Sequence, residues 1–289
     1  MIIFKRVLPM QHWIHARKIE GRRIGFIPTM GALHQGHLSL MARSLEECDI
    51  TVVSIFVNPK QFNDPQDLLK YPRPVEEDLK LLLKANIDVL FFPEVDEIYP
   101  ASQTAVKDFD PGIVGTVMEG KFRPGHFAGV AEVMHRLLVV VQPDRLYMGQ
   151  KDFQQTAIVR KLIHDWHLKS QLIICPTLRE ENGLAMSSRN LRLSPHARKE
   201  AAIIYKTLTE AKRKFEKGEP IHQIKEEAMR TLLQKGFIPE YFSIVDAVTL
   251  ADIELNEESQ FVIACCAVKV EGVRLIDNII LKEKTSGLN

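Results

Sequence analysis

Apolar and polar positions follow two alternating periods along roughly the first 175 residues. Residues 23–28 (RIGFIP) form a short apolar run that predicts a strand. Over residues 36–47, Leu38, Met41, Ala42 and Leu45 fall at i, i+3, i+4 and i+7, one face of a helix. Residues 50–57 (ITVVSIFV) are almost continuously apolar and rich in β-branched types, as a strand covered on both faces requires. Val75, Leu79, Leu82 and Leu83 predict the next helix, and 89–92 (VLFF) the next strand. Val130, Val133, Met134, Leu137, Leu138 and Val141 mark another helix. Residues 146–148 and 172–175 predict two more strands, with a helix between them beginning near Asp152. This alternation predicts an α/β fold: a parallel sheet with helices on both faces and ligands beyond the carboxyl ends of its strands.

The pattern then changes. Ser194 and Pro195 read as an N-cap and a first-turn proline. Ala197, Ala201, Ile204, Leu208, Ala211 and Phe215 continue one long helix that stops near Gly218, and a second runs from Ile221 to Lys235. Three strand candidates follow at 241–245, 260–268 and 273–281. Helices followed by strands predict a smaller α+β domain with an antiparallel sheet. The expected domains are 1–176 and 177–289, with no internal repeat.

Composition narrows the class. The 289 residues are 45% hydrophobic and 26% charged, as in globular proteins. Lys+Arg number 38 against 37 Asp+Glu, a net charge of +1, without the basic excess of a nucleic-acid binder. A few local cations can still hold an anion. No apolar stretch is long enough for a transmembrane helix, and the start has neither the apolar core nor the cleavage site of a signal peptide. Cys48, Cys175, Cys265 and Cys266 include no C-x-x-C pair. They read as buried thiols of a reduced, cytoplasmic protein, against a zinc site or disulfide framework.

The turn at 28–37 (PTMGALHQGH) joins the first predicted strand to the first helix. A helix N-terminus presents unpaired N–H groups and the positive end of its dipole, so this turn is a ready anion site. Gly31 and Gly36 let backbone approach a phosphate, and His34 and His37 can donate imidazolium N–H groups to its oxygens. Either histidine alone reads as a surface residue near a cap; a pair framing a glycine at a strand end reads as a site. Gly149, Gln150, Lys151 and Asp152 follow a later strand, where a lysine can meet a phosphoryl group and a carboxylate can bind ribose hydroxyls. The plainer reading there is a solvated turn capped by Asp152. Residues 184–190 (LAMSSRN) place two hydroxyls and a guanidinium in a loop suited to a polyanion, or simply before a capped helix. Residues 120–126 (GKFRPGH) form another basic loop, or a surface turn. Gln61 ends the 50–57 strand segment with donor and acceptor groups for a hydroxy acid. Tyr71, Arg73 and Asp78 follow in a polar loop able to cover the site, or in a proline-rich connector.

H-x-G-H at a strand–helix junction has the form of the HIGH signature of the nucleotidylyl-transferase superfamily. Residues 186–189 (MSSR) sit where that superfamily carries its KMSKS-type phosphate loop. With FVNPKQF at 56–62, YPR at 71–73, RPGHFAGV at 123–130, GQKDFQQ at 149–155, GLAMSSRN at 183–190 and RLIDN at 274–278, the set closely resembles the pantothenate synthetase (pantoate–β-alanine ligase) family. The resemblance is colinear from about residue 24 to 280. It implies ATP-dependent condensation of pantoate with β-alanine through pantoyl adenylate, giving pantothenate, AMP and pyrophosphate. It also implies a Rossmann-like first domain, a smaller lid domain, Mg²⁺ with the ATP, and a homodimer with no nucleic-acid or membrane partner.

Carried over by position, the resemblance implies His37, His34 and Lys151 as catalytic groups, with His37 the proton donor. It places Met30, Gly31, Ala32, Leu33, His34, Gln35, Gly36 and His37 along ATP, together with Gly149, Gln150, Lys151, Asp152, Leu178, Met186, Ser187, Ser188 and Arg189. Gln61 and Gln155 would hold pantoate, and Gln61 and Arg123 β-alanine. Asn182 stands where the family pattern has an acidic residue before Gly183; asparagine also takes turn conformations, so little effect is expected. The phosphate loop has Arg189 and no lysine, leaving Lys151 as the main point charge. Three other readings compete. A nucleotidyltransferase moving AMP onto a phosphate would share H-x-G-H but not need Gln61 and Gln155. A non-catalytic regulator would bind ATP without releasing pyrophosphate. A tRNA-charging enzyme would need a basic domain that this chain lacks.

Overall fold

Six parallel strands organise the first part of the chain: β1 (Ile2–Phe4), β2 (Ile24–Thr29), β3 (Ile50–Ile55), β4 (Val89–Phe91), β5 (Arg145–Gly149) and β6 (Gln171–Cys175). The computed structural model describes residues 1–101, 109–255 and 259–283. The sheet order is β1-β4-β3-β2-β5-β6, every pair parallel. Ile24, Phe26, Ile27, Val52 and Val53 are buried, which is why β2 and β3 read as continuous apolar runs. The chain steps outward from β2 to β3 and β4, then returns to β5 on the other side of β2. That reversal makes the carboxyl ends of β2 and β5 the topological switch point, where such sheets bind ligands.

Among the described residues, the helices up to β6 are α1 (Val7–Ile19), α2 (Gln35–Glu47), α3 (Pro65–Leu69), α4 (Val75–Lys84), α5 (Val95–Ile98), α6 (Glu119–Phe122), α7 (His126–Val141) and α8 (Phe153–Asp165). Met41 of α2 and Leu82 of α4 pack with Ile27, Val53, Leu90 and Tyr147 of the strands. All six apolar positions read as the face of α7 are buried.

Two compact units result. The first comprises Met1–Pro111, Arg123–Gln150 and Gln155–Leu178; the second comprises Gly112–Phe122, Lys151–Gln154 and the chain from Arg179 onward. The second unit contains α9 (Pro195–Glu200), α10 (Ala202–Glu216) and α11 (Ile221–Gln234), with an antiparallel sheet β7 (Ile238–Asp246), β8 (Phe261–Val270) and β9 (Val273–Glu283) in that order. Its core joins Ile204, Leu208, Ile224 and Leu232 to Val262, Ala264, Cys266 and Val268.

Two departures from the expected elements have simple causes. β1 and α1 precede the first predicted strand. β1 is three residues long at a sheet edge, and α1 buries only Met10 and Ile14, so neither has a legible period. The long helix expected from Pro195 is two helices meeting at Ala201. Ala201 is buried with φ −61° and ψ −14°, so the apolar period continues through the break. All four thiols are free. Among the described residues no helix is long and apolar enough to cross a membrane.

Candidate active site

The turn after β2 belongs to the first unit and is built on Thr29. Its hydroxyl donates to the Ser54 carbonyl on β3 (2.7 Å) and accepts the Gly31 N–H (3.1 Å). Gly31 and Ala32 then take left-handed φ values of +79° and +49°. A Cβ on Gly31 would lie 2.9 Å from Asp78 Oδ2 and 3.1 Å from Ile55 Cγ2, so the position needs glycine. Ala32 is held in its uncommon conformation by Asp78, whose carboxylate accepts the Ala32 and Leu33 N–H groups at 2.8 and 2.7 Å. Asp78, expected in a covering loop, instead lies in the first turn of α4 and is 2% exposed. It is a strut beneath the turn. Burial pushes its carboxyl above the usual range while the two N–H donors oppose the shift.

His34 is the N-cap of α2. Its Nδ1 accepts the Gly36 N–H (3.1 Å), and His37 Nδ1 accepts the His34 N–H (3.3 Å). The ring centroids are 4.1 Å apart. With both Nδ1 atoms accepting, each neutral ring carries its hydrogen on Nε2. Protonating Nδ1 would break a cap bond, so the geometry favours donation from neutral Nε2–H over the imidazolium pair expected from sequence.

The motif after β3 meets the same turn. Pro59–Gln61 is a 3-10 turn capped by Asn58, and Gln61 Nε2 lies 2.9 Å from Met30 Sδ. The Gln61 carbonyl accepts from His126 Nδ1 (2.8 Å), and Arg123 Nη1 is 3.1 Å from His126 Nε2. The structure thus brings Met30, Gln61 and Arg123 together from three distant motifs. Gly129 permits it: a Cβ there would sit 2.2 Å from the Lys60 carbonyl oxygen. Gln155 is half-buried in the first turn of α8, just past the carboxyl end of β5.

In the second unit Lys151 is half-buried on the 3-10 turn Gln150–Asp152, and its carbonyl accepts from Asn278 Nδ2 (2.9 Å). The neighbouring Asp277 is 3% exposed, and its two oxygens accept from Arg179 Nη1 and Nη2 at 2.7 and 3.0 Å. Burial pushes the Asp277 carboxyl up, opposed by Arg179 and the positive charge of Lys151. Arg179 also donates to the Gly183 carbonyl (3.1 Å) and lies 3.6 Å from the Tyr205 ring centre. Ser187 caps the turn Ser188–Arg192 by accepting the Arg189 N–H (3.3 Å). Buried Asn190 ties this loop to Glu180 (2.8 Å) and the Ala185 carbonyl (3.1 Å), with Met186 between. Leu178 is exposed at the end of the first unit.

The left-handed residue of the 180–184 turn is Gly183, φ +93°, not Asn182. Asn182 accepts the Leu184 N–H (3.0 Å), which a carboxylate could also do, and donates to the Arg198 carbonyl (3.2 Å), which a carboxylate could not. Arg179 and Glu119 escaped the sequence reading, and Asp277 and Asn278 entered it only inside a motif. The available signal was an Asp-Asn pair within the apolar run of β9. Gln154, beside Gln155, is committed to backbone: it donates to the Val114 and Val117 carbonyls (2.6 and 2.9 Å) and accepts the Glu119 N–H (3.0 Å). Among the described residues no group of three or more His, Cys, Asp or Glu side chains is arranged to hold a metal ion.

Comparison with known proteins gives a consistent result. The sequence profile of the family described as Pantoate-beta-alanine ligase matches residues 2–280. The pantothenate synthetase of Azobacteroides pseudotrichonymphae is 46% identical over 284 residues, 96% of this chain and 99% of the relative. That of Bacteroides thetaiotaomicron is 44% identical over 286 residues, covering 98% and 100%. The crystal structure of pantothenate synthetase from Thermus thermophilus matches with a TM-score of 0.89 at 37% identity, covering 98% of this chain and 100% of that one. Pantoate-beta-alanine ligase from Francisella tularensis, complexed with beta-gamma ATP and beta-alanine, matches at 0.82 and 34%, covering 99% and 100%.

Proposed function

Because the chain belongs to the pantoate–β-alanine ligase family, we propose that it joins pantoate to β-alanine using ATP, releasing AMP and pyrophosphate. The observation that carries this reading is the family match over residues 2–280. A carboxylate and an amine do not condense in neutral water, so the acid must first gain a leaving group. The pantoate carboxylate attacks the α-phosphorus of ATP, pyrophosphate departs, and pantoyl adenylate remains. The amine of β-alanine then attacks the acyl carbon and expels AMP.

The residue roles belong to this proposal. The Nε2–H groups of His34 and His37, the start of α2, Lys151, Ser188 and Arg189 stabilise charge growing on the phosphoryl oxygens, with His37 donating a hydrogen bond through its neutral ring where the family resemblance implies a proton donor. One fixed donor of this kind is typically worth about 2.7–4 kcal/mol of barrier. Gly149 and Asp152 hold the ribose side, Leu178 the adenine, Gln61 and Gln155 pantoate, and Arg123 with Gln61 the β-alanine. Mg²⁺, arriving with the ATP substrate, would share the charge on the triphosphate with these groups. A cytoplasmic homodimer completes the proposal; sedimentation at the mass of a single chain would contradict the dimer.

The test is product identification. With ATP, Mg²⁺, pantoate and β-alanine, AMP, pyrophosphate and pantothenate should form in equal amounts. Without β-alanine, labelled pyrophosphate should exchange into ATP only when pantoate is present. ATP turnover that yields no pantothenate would overturn the reading.

A further inference from the structure

Gln61 has a donor end and an acceptor end, and the end that faces a ligand decides what it recognises. We infer that Tyr99 is a positioning residue for the hydroxy acid: acting through Asn58, it holds the Gln61 amide with its NH₂ group turned toward the substrate. This rests on the reading of Gln61 as a pantoate ligand.

The hydrogen-bond directions allow one arrangement. The Lys60 N–H can only donate, and it lies 3.2 Å from Asn58 Oδ1. The Gly129 carbonyl can only accept, and it lies 3.1 Å from Asn58 Nδ2. Backbone therefore orients the Asn58 amide at both ends. Tyr99 Oη, 2.8 Å from the same Oδ1, must be the donor of that pair. Asn58 Nδ2 donates its other hydrogen to Gln61 Oε1 at 3.1 Å. Gln61 Nε2 is thereby turned to the opposite side, where it meets Met30 Sδ. A thioether is a weak acceptor, so a carboxylate or hydroxyl oxygen arriving there would make the stronger bond.

Tyr99 is itself well anchored. Its ring centre lies 6.2 Å from that of Phe56, with Lys60 Nζ at 4.3 Å and Arg136 Cζ at 5.1 Å. Glu132 binds both cations, at 2.9 and 3.3 Å. Burial and the Glu132 charge push the phenol far above its ordinary range, so it stays a donor. Asn58 is 1% exposed, and a lost phenol hydroxyl would leave its oxygen short of a partner in a buried site.

A double-mutant cycle tests the relay. Tyr99→Phe keeps the ring and removes the hydroxyl. It should raise the pantoate KM by roughly 5- to 30-fold, the scale of one buried hydrogen bond, with the ATP KM nearly unchanged and the thermal midpoint lowered only modestly, since Asn58 Oδ1 keeps the Lys60 N–H. Gln61→Ala should raise the pantoate KM at least as much. Adding Tyr99→Phe to Gln61→Ala should change it no further, because the group being positioned is gone. If Gln61→Ala leaves the pantoate KM unchanged, the reading of Gln61 fails and this inference with it. If Gln61→Ala acts but Tyr99→Phe raises both KM values alike, or keeps its full effect beside Gln61→Ala, the positioning role is overturned while Gln61 remains a ligand.

Discussion

Lys151 follows β5 on a turn whose carbonyl is pinned by Asn278, so its backbone is fixed independently of its ammonium group. If that charge acts mainly as pyrophosphate leaves, Lys151→Ala should lower kcat by about 10²–10³ while changing the ATP KM less. Supplied pantoyl adenylate should restore much of the second half-reaction. Single-turnover measurement of adenylate formation checks this, and near-normal adenylation by the variant would refute the role. Lys151 was legible because it follows a strand end. His135 was not, because its environment is purely tertiary. Its ring packs edge-on against Trp166, centroids 4.2 Å apart, and its Nδ1 is buried without a hydrogen-bond partner among the described residues. Burial, and then the Arg136 charge, push its pKa below the ordinary 6.5. The unfolded chain therefore takes up this proton first as pH falls. The stabilisation is complete above about 6.5 and is lost on acidification through the depressed folded value. Urea unfolding between about pH 7.5 and 5.5 should show wild-type stability falling relative to His135→Gln; parallel curves would contradict this.

At the scale of elements, α7 rests on the 58–61 turn because residue 129 has no side chain. Gly129→Ala would force a Cβ to within 2.2 Å of the Lys60 carbonyl oxygen. Overpacking of this kind costs about 1–3 kcal/mol, and displacing α7 also moves the Gly129 carbonyl that orients Asn58. Lower stability by urea titration should therefore come with a raised pantoate KM. An unchanged KM in a destabilised variant would separate the packing from recognition. Periodicity found α2, α4 and α7, but only α7 buries the whole face it marked. Of the faces read for α2 and α4, Met41 and Leu82 are buried while Leu45, Val75 and Leu83 are exposed, and α2 buries Leu40 and Ser44 instead. Asp78 was read into a polar loop although the helical period spans it, because acidic residues in a helix's first turn resemble a polar loop until the partners of their carboxylates are known. Only the folded chain puts Asp78 under Ala32 and Leu33.

At the scale of the whole molecule, the second unit takes in a segment from the middle of the chain. Glu119 anchors that segment: its carboxylate accepts from Arg274 at 2.6 and 2.8 Å and from Tyr241 at 2.7 Å. Arg274 also bonds Glu240 at 2.7 Å. Glu119→Ala would leave a largely buried guanidinium short of its partner and should cost about 3–5 kcal/mol in chemical denaturation. Lys269→Ala removes a more exposed partner of Glu240 and should cost less than about 1 kcal/mol. Equal losses would show that burial does not control these pairs.

Strand–helix alternation, the position of H-x-G-H at a strand end and the colinear motifs were written in the sequence, because local periods and turn chemistry depend on neighbours along the chain. They sufficed for an α/β sheet followed by an antiparallel α+β part and for the family's chemistry. The tertiary structure decided what depends on residues far apart in sequence. It set the strut from Asp78 to the turn after β2, the direction of the Gln61 amide through Asn58 and Tyr99, and the Asp277–Arg179 pair beside Lys151. It also assigned 112–122 to the second unit. A hydrogen bond's direction and a carboxylate's burial arise from distant groups converging in space, and no local pattern records that convergence.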